Sequence, residues 1–214
     1  MKNLGKVLII SILTLIGMQT FAQKIGVQGG INLANILAKD DDDTYSDDFE
    51  VNLGFNGGVT LEVGLGDLLS VEAAVMANSK GFKMKEEFLG IEFTTRANLL
   101  YLDVPVLVKV GPSFGPVKVF AAAGPYIGYG ISGKLKYEAE GESDTEDVEW
   151  GDSEDDYLKR MDFGAKFGAG LEAMGFTIGA YYSLGLANIS PITDNGAKIN
   201  HKVISLSLGY KFGK

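Results

Sequence analysis

Eight charged side chains stand singly inside otherwise apolar runs: Glu62, Glu72, Asp103, Lys109, Lys118, Asp162, Lys166 and Glu172. Each is flanked on both sides by Val, Leu, Ala, Phe or Met. Paired carboxylates and ammonium groups in such settings can form an ion path or an acid–base couple. They can also form a structural polar core, in which every buried charge must find a partner. The polar core, a lumenal network that blocks passage, is the expected arrangement for these eight residues.

A second group of charges is clustered. Seven of the 28 acidic residues lie between Asn35 and Glu50, and eleven between Glu138 and Asp156. Hard divalent cations such as Ca²⁺ take several carboxylate and carbonyl oxygens. Asp40–Asp43 and the run Glu146–Asp156 supply such oxygens, with Asp152, Glu154, Asp155 and Asp156 as the candidate ligands. Neither run has the spaced ligands of an EF-hand loop, so a solvated, mobile acidic loop is the expectation and no cofactor is required. The single histidine, His201, could be a base for Ser190 or Ser205, as in lipid-modifying enzymes that use a His/Ser pair. No spacing motif supports that chemistry, and no catalytic residue is assigned. With no cysteine in the chain, disulfides and thiolate metal sites are excluded.

The elements that position these charges alternate with period two. From Val51 to Leu65 the odd positions are Val, Leu, Phe or Gly, and the even ones are Asn, Gly, Thr or Glu. Successive side chains of a strand point to opposite faces, so one face is apolar and the other polar or small. About eight such segments follow one another. Short turns occur near Gly66, at Gly111–Pro116 and near Gly175. Longer loops are expected at about Asn35–Glu50, Lys85–Thr95, Ser132–Arg160 and Ser190–His201, the third with room to continue its two flanking strands as a hairpin above the membrane. This rhythm predicts an all-β fold, an eight-stranded antiparallel up-and-down transmembrane β-barrel with short periplasmic turns and long acidic outer loops. Its 29 glycines suit a narrow interior.

Lys2 and Lys6, the apolar run Val7–Met18 and Thr20-Phe21-Ala22 form a secretory leader. Residues 1–22 are read as signal peptide and 23–214 as the barrel domain. Loss of Lys2 and Lys6 with the leader takes the net charge from −9 to −11, which excludes nucleic acid as a partner.

Several stretches resemble the outer-membrane β-barrel domain proteins of Bacteroidetes, a porin-family or PorT-like group of small barrels. They are Ile25-Gly26-Val27-Gln28-Gly29-Gly30-Ile31-Asn32, the run from Tyr101 to Lys109 around Asp103-Val104-Pro105, Gly124-Pro125-Tyr126, Phe167–Glu172 and Tyr182–Ile189. The resemblance covers the mature chain and accounts for Pro105 within a strand. It implies the barrel fold and the cell outer membrane, crossed many times. Members often carry an arginine where this chain has Tyr181, so that arginine's role does not carry over.

The expected function is therefore that of a non-enzymatic outer-membrane protein whose acidic extracellular loops bind or support. A small-solute porin and, behind it, a lipid-modifying enzyme are the alternatives, with a soluble lipocalin-like carrier last. Eight strands argue against an open pore. Expected partners are outer-membrane lipid, the barrel insertion machinery and an unidentified extracellular or envelope protein.

Overall fold

The structure is a computed structural model in which residues 23–41, 43–44, 49–88, 90–139 and 142–213 are described. The leader expected over residues 1–22 lies outside them, as does part of the first acidic loop. Eight long strands form the wall: β1 (Gln23–Lys39), β2 (Asn52–Gly64), β3 (Leu69–Phe88), β4 (Ile91–Val110), β5 (Val117–Ala139), β6 (Met161–Ala173), β7 (Phe176–Gly185) and β8 (Lys198–Phe212). Each pairs antiparallel with its chain neighbour, and β8 returns to β1 in register from Ile25↔Phe212 to Lys39↔Lys198. The ring is closed, so the wall has no free edge.

Alternation decides which side chains see the lumen. Val59 is 53% exposed and its neighbour Thr60 only 5%. The same inside–outside switch recurs at Ser70/Val71, Asp103/Val104 and Ser205/Leu206. The outward rows of Ile, Leu, Val and Phe form an apolar exterior that only lipid can cover without penalty. At one rim Phe176, Tyr210 and Phe212 stack edge-on, with ring centroids 4.9 and 5.0 Å apart.

The short turns follow from their backbone chemistry. Met174 and Gly175, between β6 and β7, both have positive φ, 52° and 86°. Two positive values suit the twist of a two-residue hairpin. Pro105 sits inside β4, where the ladder to β3 is broken between Ala73↔Val106 and Met76↔Asp103. A proline donates no ladder bond, and its cost is confined to that gap.

The strands are longer than expected at the outer end. Lys85–Thr95 is not a loop: β3 runs to Phe88 and β4 starts at Ile91. Most of Ser132–Asp147 is a hairpin, the continuation above the membrane for which the sequence left room, in which Glu142–Asp147 pairs back on Lys134–Ala139. β1 continues to Lys39, and β8 begins at Lys198 rather than after His201. The lipid-facing pattern stops at the membrane, but backbone pairing does not.

Candidate functional site

The lumen is filled by two tiers of ion pairs. Near the short turns, Lys109 from β4 donates to Glu62 of β2 and Glu72 of β3, at 3.0 Å each. Lys211 of β8 pairs with Glu62, and with Glu172 of β6 at 2.6 Å. Lys24 of β1 closes the set on Glu172 at 3.1 Å. Three carboxylates thus face three ammonium groups, and Lys109 also lies 4.1 Å from the Phe120 ring centroid.

Nearer the outer mouth, Lys80 donates to Asp103 at 2.9 Å and to Asp162 at 2.8 Å. Its ammonium is caged between the rings of Tyr101 and Tyr126, at 4.6 and 4.7 Å. Tyr126 donates to Asp162 at 3.0 Å, and the Asn78 amide to Asp103 at 2.8 Å. Lys166 is buried beside this tier with its ammonium 5.0 Å from the Tyr181 ring. Asn32, Asn56, Ser205 and Ser207 extend the upper tier: the Asn32 amide donates to Asn78 at 3.4 Å, Asn56 and Ser205 donate to Asn32, and Ser207 donates to Asn56, the last three at 2.7 to 2.9 Å. Among the described residues a void between the tiers, lined by Glu72, Met76, Pro105, Leu107, Lys166 and Tyr181 among others, measures about 10 Å³. That is room for about one water molecule.

Seven of the eight charges singled out in the sequence therefore face the lumen as buried groups. Lys118 is half-buried and enters none of the ion pairs among the described residues. Lys24, Lys80 and Lys211 complete the tiers and were not in the expected set. Lys80 continues the inward row Ser70, Glu72, Met76, Asn78, and the same parity carried two residues further finds it.

The outer mouth is covered by the longest loop, which is not simply a solvated acidic segment. Val148, Trp150 and Leu158 turn inward and pack with Ala97, Leu99, Tyr101, Leu135 and Ile189. Trp150 meets Tyr101 edge-on at 5.6 Å and lies over Gly130, where any Cβ would stand 2.6 Å from the indole. Arg160 stacks on Trp150 from the side, 5.5 Å from its centroid, and donates to the Gly130 carbonyl. Backbone bonds from Val148 to Gly133 and from Lys159 to Ile189 tie the loop to two walls.

The candidate metal ligands lie on the far side of this plug. Asp152, Glu154 and Asp155 are exposed, while Asp156 is half-buried and accepts from the Ser153 amide at 2.8 Å. Among the described residues, no three His, Asp or Glu side chains are grouped so as to hold a metal ion. His201 is not at a membrane interface but inside the barrel, 1% exposed and edge-on to Tyr101 at 5.1 Å. Ser190 donates its hydroxyl to Ile192 and Ser205 to Asn32, so neither is poised on the imidazole.

On the outer face of the wall, level with the plug, further charges pair. Lys83 donates to Glu50 at 2.7 Å and Lys136 to Glu138 at 2.5 Å. These hydrogen bonds hold both carboxyls below their ordinary range. Lys85 pairs with Glu92 at 3.1 Å.

Solved structures with similar topology include Ail of Yersinia pestis, 18% identical over 89% of this chain and 99% of that one, with a TM-score of 0.41. OprG of Pseudomonas aeruginosa is 14% identical over 91% and 98%, with a TM-score of 0.49. Outer membrane protein W of E. coli is 15% identical over 91% and 100%, with a TM-score of 0.39. No curated protein matches. Residues 21–190 match the family described as outer membrane protein beta-barrel domain. With the closed eight-stranded ring and its apolar exterior, this places the chain in the outer membrane as a member of that β-barrel family.

Proposed function

We propose that this outer-membrane protein is a non-enzymatic, non-conducting barrel whose outer hairpins and acidic plug loop contact an extracellular or envelope partner. The observation that carries the reading is the filled lumen: two tiers of paired charges with Lys166 packed beside them on the Tyr181 ring, a void of about 10 Å³ between the tiers and the Trp150 plug above them. A barrel that spends its interior on structure has only its surfaces left for work. His201 supports the non-enzymatic reading, because neither Ser190 nor Ser205 donates to it. The run from Tyr101 to Lys109 supports placing the chain among the PorT-like small barrels within the wider family.

The chain has no cysteine, so single-cysteine variants carry a photo-crosslinker at one defined place. Asp152→Cys and Ser143→Cys sample the outer loops, and Ser113→Cys samples a short turn. In intact cells the two outer positions should give discrete adducts that Ser113→Cys does not. The same adducts from all three sites, or none from the outer two, would remove the binding role.

A further inference from the structure

We propose that the outer wall of the barrel, just above its apolar band, binds the phosphate of an outer-leaflet lipid headgroup on a row of cations crossing β3, β4 and β5. Lys83 is the register partner of Arg96, and Arg96 of Lys136. Directly opposed residues of antiparallel strands have Cβ atoms about 4.5–5.5 Å apart, and like charges so placed destabilise the pairing. The fold relieves this only in part. Lys83 and Lys136 have Glu50 and Glu138, but Arg96, between them, pairs with no carboxylate among the described residues. Its Nε is buried without a hydrogen-bond partner.

The row faces outward. Ala97, Leu99 and Tyr101 point into the lumen, so Arg96, Asn98, Leu100 and Leu102 share the opposite face. On β5 the exposed apolar row ends at Ile131. A register shift opposite Leu100 and Tyr101 then brings Lys134 and Lys136 onto the outer face. Lys134 lies opposite Asp147 without an ion pair between them, and Lys85 is one step above the row. Arg96 is four residues beyond Leu100, on the order of 10 Å above it for a strand tilted by about 40°. That is the height of headgroups rather than of acyl chains. A guanidinium can hold phosphate oxygens with two parallel hydrogen bonds, and flanking ammonium groups add attraction at the membrane surface. In a chain of net charge −9 such a cluster is local, not a consequence of general basicity.

The test uses the purified protein in neutral detergent. It is mixed with lipid A or with lipid A stripped of its phosphates, and retained lipid is quantified after washing. Inorganic phosphate is added as competitor in a third arm. Lipid A should be retained and its dephosphorylated form not. Arg96→Gln with Lys136→Gln should lower retention by at least about tenfold. Glu50→Gln with Glu138→Gln should raise it, a gain that misfolding cannot mimic. Equal retention of both lipids, or insensitivity to both double variants, would overturn the proposal. Complete displacement by inorganic phosphate would overturn it as well, by assigning the row to free anions.

Discussion

Replacing Lys109 with methionine should destabilise the barrel by about 3–5 kcal/mol, because it leaves a buried carboxylate without its charge partner. Lys109 is 1% exposed and contacts Glu62 and Glu72 at 3.0 Å each. At an effective dielectric of about 20, two such contacts contribute roughly 10 kcal/mol of gross attraction. Desolvation of the ammonium, several kcal/mol, is recovered when it is removed. What remains depends on the carboxylates. Glu62 keeps Lys211, whereas Glu72 keeps only a longer contact to Lys211 at 3.6 Å. The loss should therefore fall on Glu72, and Lys109→Met with Glu72→Gln should recover at least half of it. Denaturant titration in lipid vesicles, followed by the shift in midpoint, is the assay. A neutral single variant, or a double variant no better than the single, would refute the reading of this tier as a balanced buried network.

Three further outcomes are expected. Val59→Arg or Val106→Arg, on the lipid face, should cost about 2–4 kcal/mol near mid-membrane, whereas Thr60→Arg acts by crowding the lumen; identical titration curves for all three would mean the register is wrong. Trp150→Ala should loosen the plug and speed trypsin cleavage after Lys159 and Arg160 by on the order of a hundredfold, as for loss of about 3 kcal/mol of packing; an unchanged cleavage rate would show that the loop is held elsewhere. Tyr210→Ala with Phe212→Ala breaks the aromatic row stacked on Phe176 and should lower the outer-membrane yield in fractionated cells. Deleting Gly213-Lys214 should leave that yield unchanged, and equal yields for all chains would show that the row plays no part in assembly.

The wall was legible because lipid imposes a strict alternation, so that parity alone places Glu62, Glu72, Asp103 and Asp162 inside. Pro105 was legible only through the family resemblance, since its propensity argues against a strand. Of the outer extensions only the hairpin within Ser132–Arg160 was legible. Above the membrane both faces of a strand meet water, and a stretch such as Lys83–Glu87 carries no apolar row to mark it. Lys80, the cation that holds the upper tier, lies just past Asn78 on the same inward row, between Ser79 and Gly81, where no apolar neighbour marks the alternation. The plug was hidden for a different reason. Val148, Trp150 and Leu158 are three apolar residues in an acidic segment, and they meet through the parallel bridge Trp150↔Leu158 and loop hydrogen bonds rather than through any periodicity. The cation row required the β3–β4–β5 register, which sets Lys83, Arg96 and Lys136 side by side although they are far apart in the chain.

The central claim is that the lumen is sealed, and planar-bilayer recording from folded monomer tests it most directly. Wild-type protein should insert without steady conductance steps. Sustained, ion-selective steps from the wild type, unchanged when Lys80 or Lys109 is replaced, would contradict the sealed lumen and return the barrel to the class of pores.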